Sequence, residues 1–240
     1  MLNYVWRQEL APLLSIDPVL RYYPLRACYD EMRAPVTVWQ DADGAIQGAL
    51  VPCNPPGRAW LIAASTEAVV ALIKEMPAEM ALTAPLWTDS LISQLAPNRT
   101  LSTDVIAVCT ASSLQPVLPR SGVRLHPLDS PPGEALNAAT VTSARVAHLG
   151  CVVGGNLAGY CTYHLDGRGT GSIERLEISE EWRGADLGKT LVSAAAKTML
   201  EEEAERLVFA AAGENQPLLG VARAVGFRTC YWMKFASPER

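Results

Sequence analysis

The sequence predicts an α/β protein in two parts: a small α/β unit over 1–112 and, after a linker at 113–122, a second unit over 123–240. The second is built on a mixed, mostly antiparallel sheet flanked by helices. Three observations predict this. The chain has 240 residues, enough for one or two domains of about 150 residues. At 112–122 the run S-S-L-Q-P-V-L-P-R-S-G gathers prolines, serines and a glycine, and hydrophobic periodicity stops. Beyond it, strand-like runs separated by G-G-N and D-G-R-G-T-G lead into a helix rich in Ala, Leu and Glu, the pattern of an antiparallel meander feeding a helix.

Composition narrows the class. Hydrophobic residues are 49% and charged residues 19%, a globular balance that excludes collagen, coiled coil and disorder. Lys and Arg total 20 against 25 Asp and Glu, a net charge of −5, so no general attraction to nucleic acid or anionic membrane is expected. Arg7 and Glu9 interrupt what would be the apolar core of a signal peptide. The longest apolar runs, such as 105–109, fall far short of the roughly 20 residues that span a bilayer. A cytoplasmic protein is expected. The six cysteines (28, 53, 109, 151, 161, 230) form no C-x-x-C pair, and no histidine stands at metal-ligand spacing. Buried thiols in a reducing compartment, and no metal, are the expectation.

In the first unit, 35–40 and 45–51 flank D-A-D-G and read as a hairpin. A strand at 59–63, a helix at 67–75 capped by Ser65 or Thr66, a short helix from Thr88 and a strand at 105–109 follow. This half has no glycine-rich phosphate loop. Its aromatic residues Trp6, Tyr22, Tyr23, Trp39, Trp60 and Trp87 read as core and domain-contact residues. In the second unit a helix at 132–139 precedes strands at 144–153, 157–165 and 172–178. Leu187, Leu191, Ala195 and Met199 then recur at every fourth position of a helix running through 189–203. A strand at 206–211, a helix at 217–225 closed by Gly226 and a strand at 228–235 complete it.

The strongest chemical signal is the loop and helix start at 183–189. A helix N-terminus carries unpaired N–H groups and the positive end of a dipole, and small residues let an anion come close. Arg183, Gly184, Ala185, Asp186, Leu187 and Gly188 stand there in order, after the strand I-E-R-L-E-I-S. Downstream, Asn215 and Gly226-Phe227 form an N-x(10)-G-F segment. Together these resemble the Q/R-x-x-G-x-G/A loop, the I-E-x-x-x-V strand and the N-x(10)-G-F segment of the GNAT superfamily of N-acetyltransferases. The resemblance covers about 121–236.

It implies acetyl-CoA as co-substrate, with an acetyl or short acyl group moved to a primary amine by direct attack in a ternary complex. Backbone groups of Leu176, Glu177 and Ile178 would pair with the pantetheine amides. The N–H groups of Arg183 to Lys189 would hold the pyrophosphate, Arg183 and Lys189 would offset its charge, and Asn215 would hydrogen-bond the pantetheine arm. The first half is expected to wall the acceptor pocket and to be a degenerate copy of the same fold. Two departures stand out. Asp186 replaces the loop's first glycine: it either complements the helix dipole with its carboxylate in solvent or weakens cofactor binding. Ala222 stands where relatives have the tyrosine that protonates the leaving thiolate.

For catalysis, Glu174 is the candidate base, the alternative being a structural carboxylate paired with Arg175 or Arg145. His148 and His164 are either bases acting through water or strand-surface residues. Tyr231, or a water, is the candidate acid in place of Ala222, the alternative for Tyr231 being a core role beside Trp232. The rival function is a non-catalytic acyl-CoA-binding or interaction protein.

Overall fold

The computed structural model describes residues 1–14, 17, 19–30, 35–53, 57–132 and 145–238. The chain divides into two compact units, Met1–Val105 with Tyr231–Arg240, and Ile106–Cys230. The expected limits differ at both ends: residues 106–122, expected in the first unit and the linker, group with the second unit, and residues 231–240 group with the first although they follow the second in sequence.

The first unit comprises β1 (Leu2–Trp6), α1 (Arg7–Leu14), α2 (Tyr22–Asp30), β2 (Pro35–Gln40), β3 (Ile46–Cys53), β4 (Arg58–Ala63), α3 (Thr66–Glu75), β5 (Ala81–Pro85), α4 (Asp89–Leu95) and most of β6 (Thr100–Cys109). The hairpin predicted around D-A-D-G forms because the Asp41 carboxylate accepts the N–H groups of Asp43 and Ala45 while Gly44 takes φ 81°. β1 to β4 pair antiparallel in sequence order, and β4 then pairs parallel with β5 across α3. Leu10, Leu14, Leu25, Val36, Val38 and Val51 make one buried cluster. Alternate residues of the strands, Leu50 and Leu61, join Val69, Leu72, Ile73 and Ile92 of α3 and α4 in another, so the two strand faces are buried separately. Of the aromatic residues expected in the core, Tyr22 and Trp60 are buried, whereas Trp6 and Trp87 are about half exposed (51% and 49%).

The second unit comprises the end of β6, then β7 (Val123–Leu128), β8 (Arg145–Val153), β9 (Asn156–Leu165), β10 (Thr170–Ile178), α5 (Leu187–Glu201), β11 (Arg206–Ala212), α6 (Gln216–Val225) and the start of β12 (Arg228–Ser237). The helix expected at 132–139 lies, apart from Pro132, outside the described residues. β7, β8, β9 and β10 pair antiparallel in turn, and β10 pairs parallel with β11. The predicted meander is therefore present, with β7 as an additional strand at its edge. α5 packs on β8, β9 and β10, burying Leu187, Leu191, Ala195 and Met199, the residues its four-residue period singled out.

Apart from α1 and α2, which stand between β1 and β2, the described elements of both units follow one order: four antiparallel strands, a helix, a parallel fifth strand and a further helix. The stretch read as a linker is tied to the second unit. Gln115 N–H donates to the Val225 carbonyl at 2.9 Å and Val117 N–H to the Ser193 hydroxyl at 2.8 Å. Gly226 ends α6 at φ 100°, and a Cβ there would lie 2.0 Å from the Ser113 carbonyl oxygen. Gly226→Ala is thus expected to destabilise the protein by more than about 2 kcal/mol, adding left-handed strain to a backbone clash. A denaturant midpoint that stayed put at unchanged m-value would contradict this.

Candidate functional site

The site is built on β10. Its parallel pairing with β11 runs only from Thr170 opposite Arg206 to Ile173 opposite Phe209, while pairing with β9 continues to Ile178 opposite Gly159. The register with β9 shifts between Ile173 and Arg175, which makes Glu174 the extra residue of a bulge. The bulge marks where β10 and β11 stop pairing. Beyond it, Leu176, Glu177 and Ile178 border a cavity of about 840 Å³. β9 holds this segment tightly, because a Cβ at Gly159 would come within 2.5 Å of the Glu177 carbonyl oxygen.

The cavity's other walls are the loop before α5, the first turn of α5, and α6. Of the residues expected at the cofactor, Leu176, Glu177, Ile178, Arg183, Gly184, Asp186, Leu187, Gly188, Lys189 and Asn215 line it, and Ala185 does not. Trp182, Pro217, Leu218 and Val221 also line it and were not anticipated. Pro217, Leu218 and Val221 share one helical face of α6, a signal that the capping motif Asn215-Gln216-Pro217 could have yielded. Gly188 sits in the crevice: a Cβ on it would touch Leu176 and Val221, each at 3.4 Å.

Helix starts differ in how their N–H groups are used. Ser65 caps α3 by accepting the N–H of Ala68 at 3.2 Å, and Asn215 caps α6 by accepting that of Leu218 at 3.2 Å. Asn215, expected at the pantetheine arm, thus uses its side-chain oxygen in positioning α6. At α5 the N-cap residue is Asp186, among the strongest capping types, yet its side chain makes no cap hydrogen bond. Its backbone is left-handed, φ 61° and ψ 9°, a conformation glycine adopts freely and Asp tolerates. Its carboxylate instead bonds Lys189 Nζ at 2.8 Å and Arg120. The Lys189 hydrogen bond and charge, aided by Arg120, hold the Asp186 carboxyl below the usual carboxylate range. The carboxylate is therefore held in two ion pairs, where the first of the two readings made from the sequence left it in solvent.

In the first unit the corresponding connection, from β4 to α3, is only Ala64-Ser65. Ser65 takes a first-turn N–H and Glu67 adds negative charge, so that turn offers an anion no comparable cradle.

One sheet face of the second unit is polar. His164 opposes Ser172, and Thr162 opposes both His148 and Arg175. The Ser172 hydroxyl donates to the exposed Glu174 carboxylate, and His148 Nδ1 lies 3.0 Å from the Thr162 hydroxyl. Arg175 pairs with Glu177 at 2.6 Å and lies over the Tyr160 ring. His164, read as a possible surface residue, is buried at 1% exposure. The Arg145 side chain lies outside the described set.

Ala222 is buried (1%) and does not line the cavity. Tyr231 belongs to the other unit, where its hydroxyl donates to Asp17 at 2.8 Å. Burial keeps Cys161 protonated, pushing its thiol up to about 12. Cys109 and Cys151 are also buried, whereas Cys230 is exposed. Among the described residues no cluster of His, Cys, Asp and Glu could hold a metal ion, and no helix is long and apolar enough to cross a membrane.

Residues 123–227 match the model of the acetyltransferase (GNAT) family. No curated protein matches the sequence. Among solved structures, a Drosophila protein superposes with a TM-score of 0.69 at 11% identity, covering 99% of this chain and 98% of its own. A tandem GNAT protein from the clavulanic acid biosynthesis pathway gives 0.63 at 17%, covering 99% and 98%. A GCN5-related N-acetyltransferase from Sphaerobacter thermophilus gives 0.64 at 13%, covering 100% and 97%. At these identities the likeness is one of fold, and its extent across both halves agrees with the repeated order of elements. With the motifs and the matching model, residues 123–227, somewhat less than half of the chain, form a domain of the GNAT acetyltransferase type.

Proposed function

We propose that the protein transfers an acetyl or other short acyl group from its CoA thioester to a primary amine. The observation that carries this reading is the start of α5: an uncapped helix N-terminus facing a cavity whose opposite wall is the open edge of β10. The N–H groups of the first turn suit a diphosphate, and Leu176, Glu177 and Ile178 suit an extended chain bearing amides. Arg183 and Lys189 supply positive charge at that end.

For the transfer, the amine must be unprotonated when it attacks the thioester carbon. Glu174, at the bulge where β10 leaves β11, is the group we assign to take its proton. The Ser172 hydroxyl donates to one oxygen of that carboxylate and so helps to position it. The departing thiolate needs less help, since a thiol's pKa is far closer to neutrality than an amine's. Of Tyr231 and water, we favour water as the proton source, because the Tyr231 hydroxyl already donates to Asp17.

The test is calorimetric titration with acetyl-CoA, followed by thiol release on a panel of primary amines. Binding with amine-dependent release of CoA is expected. Binding without release on any amine would favour a non-catalytic acyl-CoA-binding protein, and absence of binding would remove the cofactor assignment.

A further inference from the structure

The phosphate end of the cavity already contains an anion supplied by the protein. Asp186 Oδ1 bonds Lys189 and Oδ2 bonds Arg120, so one carboxylate takes up two cations beside the N–H groups of the α5 first turn. Arg120 comes from the 114–120 stretch, which Gln115 and Val117 fasten to α6 and α5. Its guanidinium therefore reaches the loop from a segment held in place by backbone contacts. Asp186 cannot move far either, since its carbonyl accepts the first helical N–H, from Thr190 at 3.1 Å.

Resting on the acyl-CoA reading above, we infer that Arg120 and Lys189 form a two-cation clamp for the cofactor's diphosphate, and that Asp186 occupies this clamp in the free protein and sets the affinity by competing for it. The diphosphate brings two negative charges to the place where a carboxylate stands. The carboxylate must yield its partners, because a third negative charge at the same N–H groups is repelled. The depressed carboxyl pKa agrees with this arrangement: Asp186 is ionised in its pairs at neutral pH. Arg120 thus becomes a cofactor-binding residue outside the loop, and Asp186 an affinity-determining one.

Glycine fits the left-handed backbone at 186 without strain, so Asp186→Gly is expected to fold. It removes the competitor and should tighten CoA binding by about fivefold, the scale of partly exposed ion pairs. Arg120→Ala alone deletes a cation from both the free and the bound state and should change the Kd by less than about twofold. In the Asp186→Gly background, where only the ligand uses Arg120, the same change should weaken binding by about fivefold. Dephospho-CoA, which keeps the diphosphate and lacks the 3′-phosphate, should show the same ratios.

Calorimetry of the four proteins with both ligands decides the matter. Equal or weaker CoA binding by Asp186→Gly, or an equal effect of Arg120→Ala in both backgrounds, would overturn the clamp while leaving the acyl-CoA reading intact. Ratios that collapse with dephospho-CoA would also overturn it, by placing the sensed charge on the 3′-phosphate. Failure of all four proteins to bind CoA would remove both readings together.

Discussion

Glu174→Gln is expected to lower turnover by on the order of a hundredfold while leaving the affinity for acetyl-CoA within about twofold of wild type. The glutamine keeps the size of the side chain and can still accept from Ser172, so bulge and cavity should persist while the proton acceptor is lost. Steady-state kinetics with a saturating amine reads both parameters. A rate within a few fold of wild type would reduce Glu174 to a partner of Ser172.

Gly188→Trp should abolish stabilisation by acetyl-CoA. At about a hundredfold excess over Kd, a ligand that binds only the folded state adds about 2.7 kcal/mol. The wild-type melting temperature should therefore rise clearly, and that of the variant should not. A Cβ at 188 meets its neighbours at ordinary contact distance, and the adjoining cavity of about 840 Å³ has room for an indole. The variant should therefore melt close to wild type without ligand, and Gly188→Ala serves as the folded control. An undiminished shift in Gly188→Trp would move the diphosphate to a different place.

Much of the second unit was legible because its signals are local. Each turn of the meander is written in glycine and Asp or Asn, and the buried stripe of α5 is written in its four-residue period. Of the residues expected at the cofactor, every one but Ala185 lines the cavity, since a loop followed by a helix start places consecutive residues with little freedom. The first unit was harder to read. β1 (Leu2–Trp6) is an exposed edge strand with no core-facing alternation, and β5 (Ala81–Pro85) is short and made of Ala, Leu, Thr and Pro; in the second unit β7 (Val123–Leu128), which contains a proline, was hidden in the same way. Pairing partners distant in sequence create these strands, and local propensity does not announce them.

By itself the sequence determined that a helix N-terminus would follow β10 with small residues around it, and that the second half carries GNAT motifs. Tertiary structure alone decided how the key side chains are used. The N-cap aspartate, a capping residue by type, was turned into a counter-ion because its backbone is left-handed and because Arg120, 66 positions earlier, is held within reach. Tyr231 became the partner of Asp17 through the return of the chain. The physical reason is common to both. Backbone conformation and burial follow from short-range sterics and hydrophobic period, whereas the partner of a charged or hydroxyl group depends on which distant segment the packed fold brings to within about 3 Å.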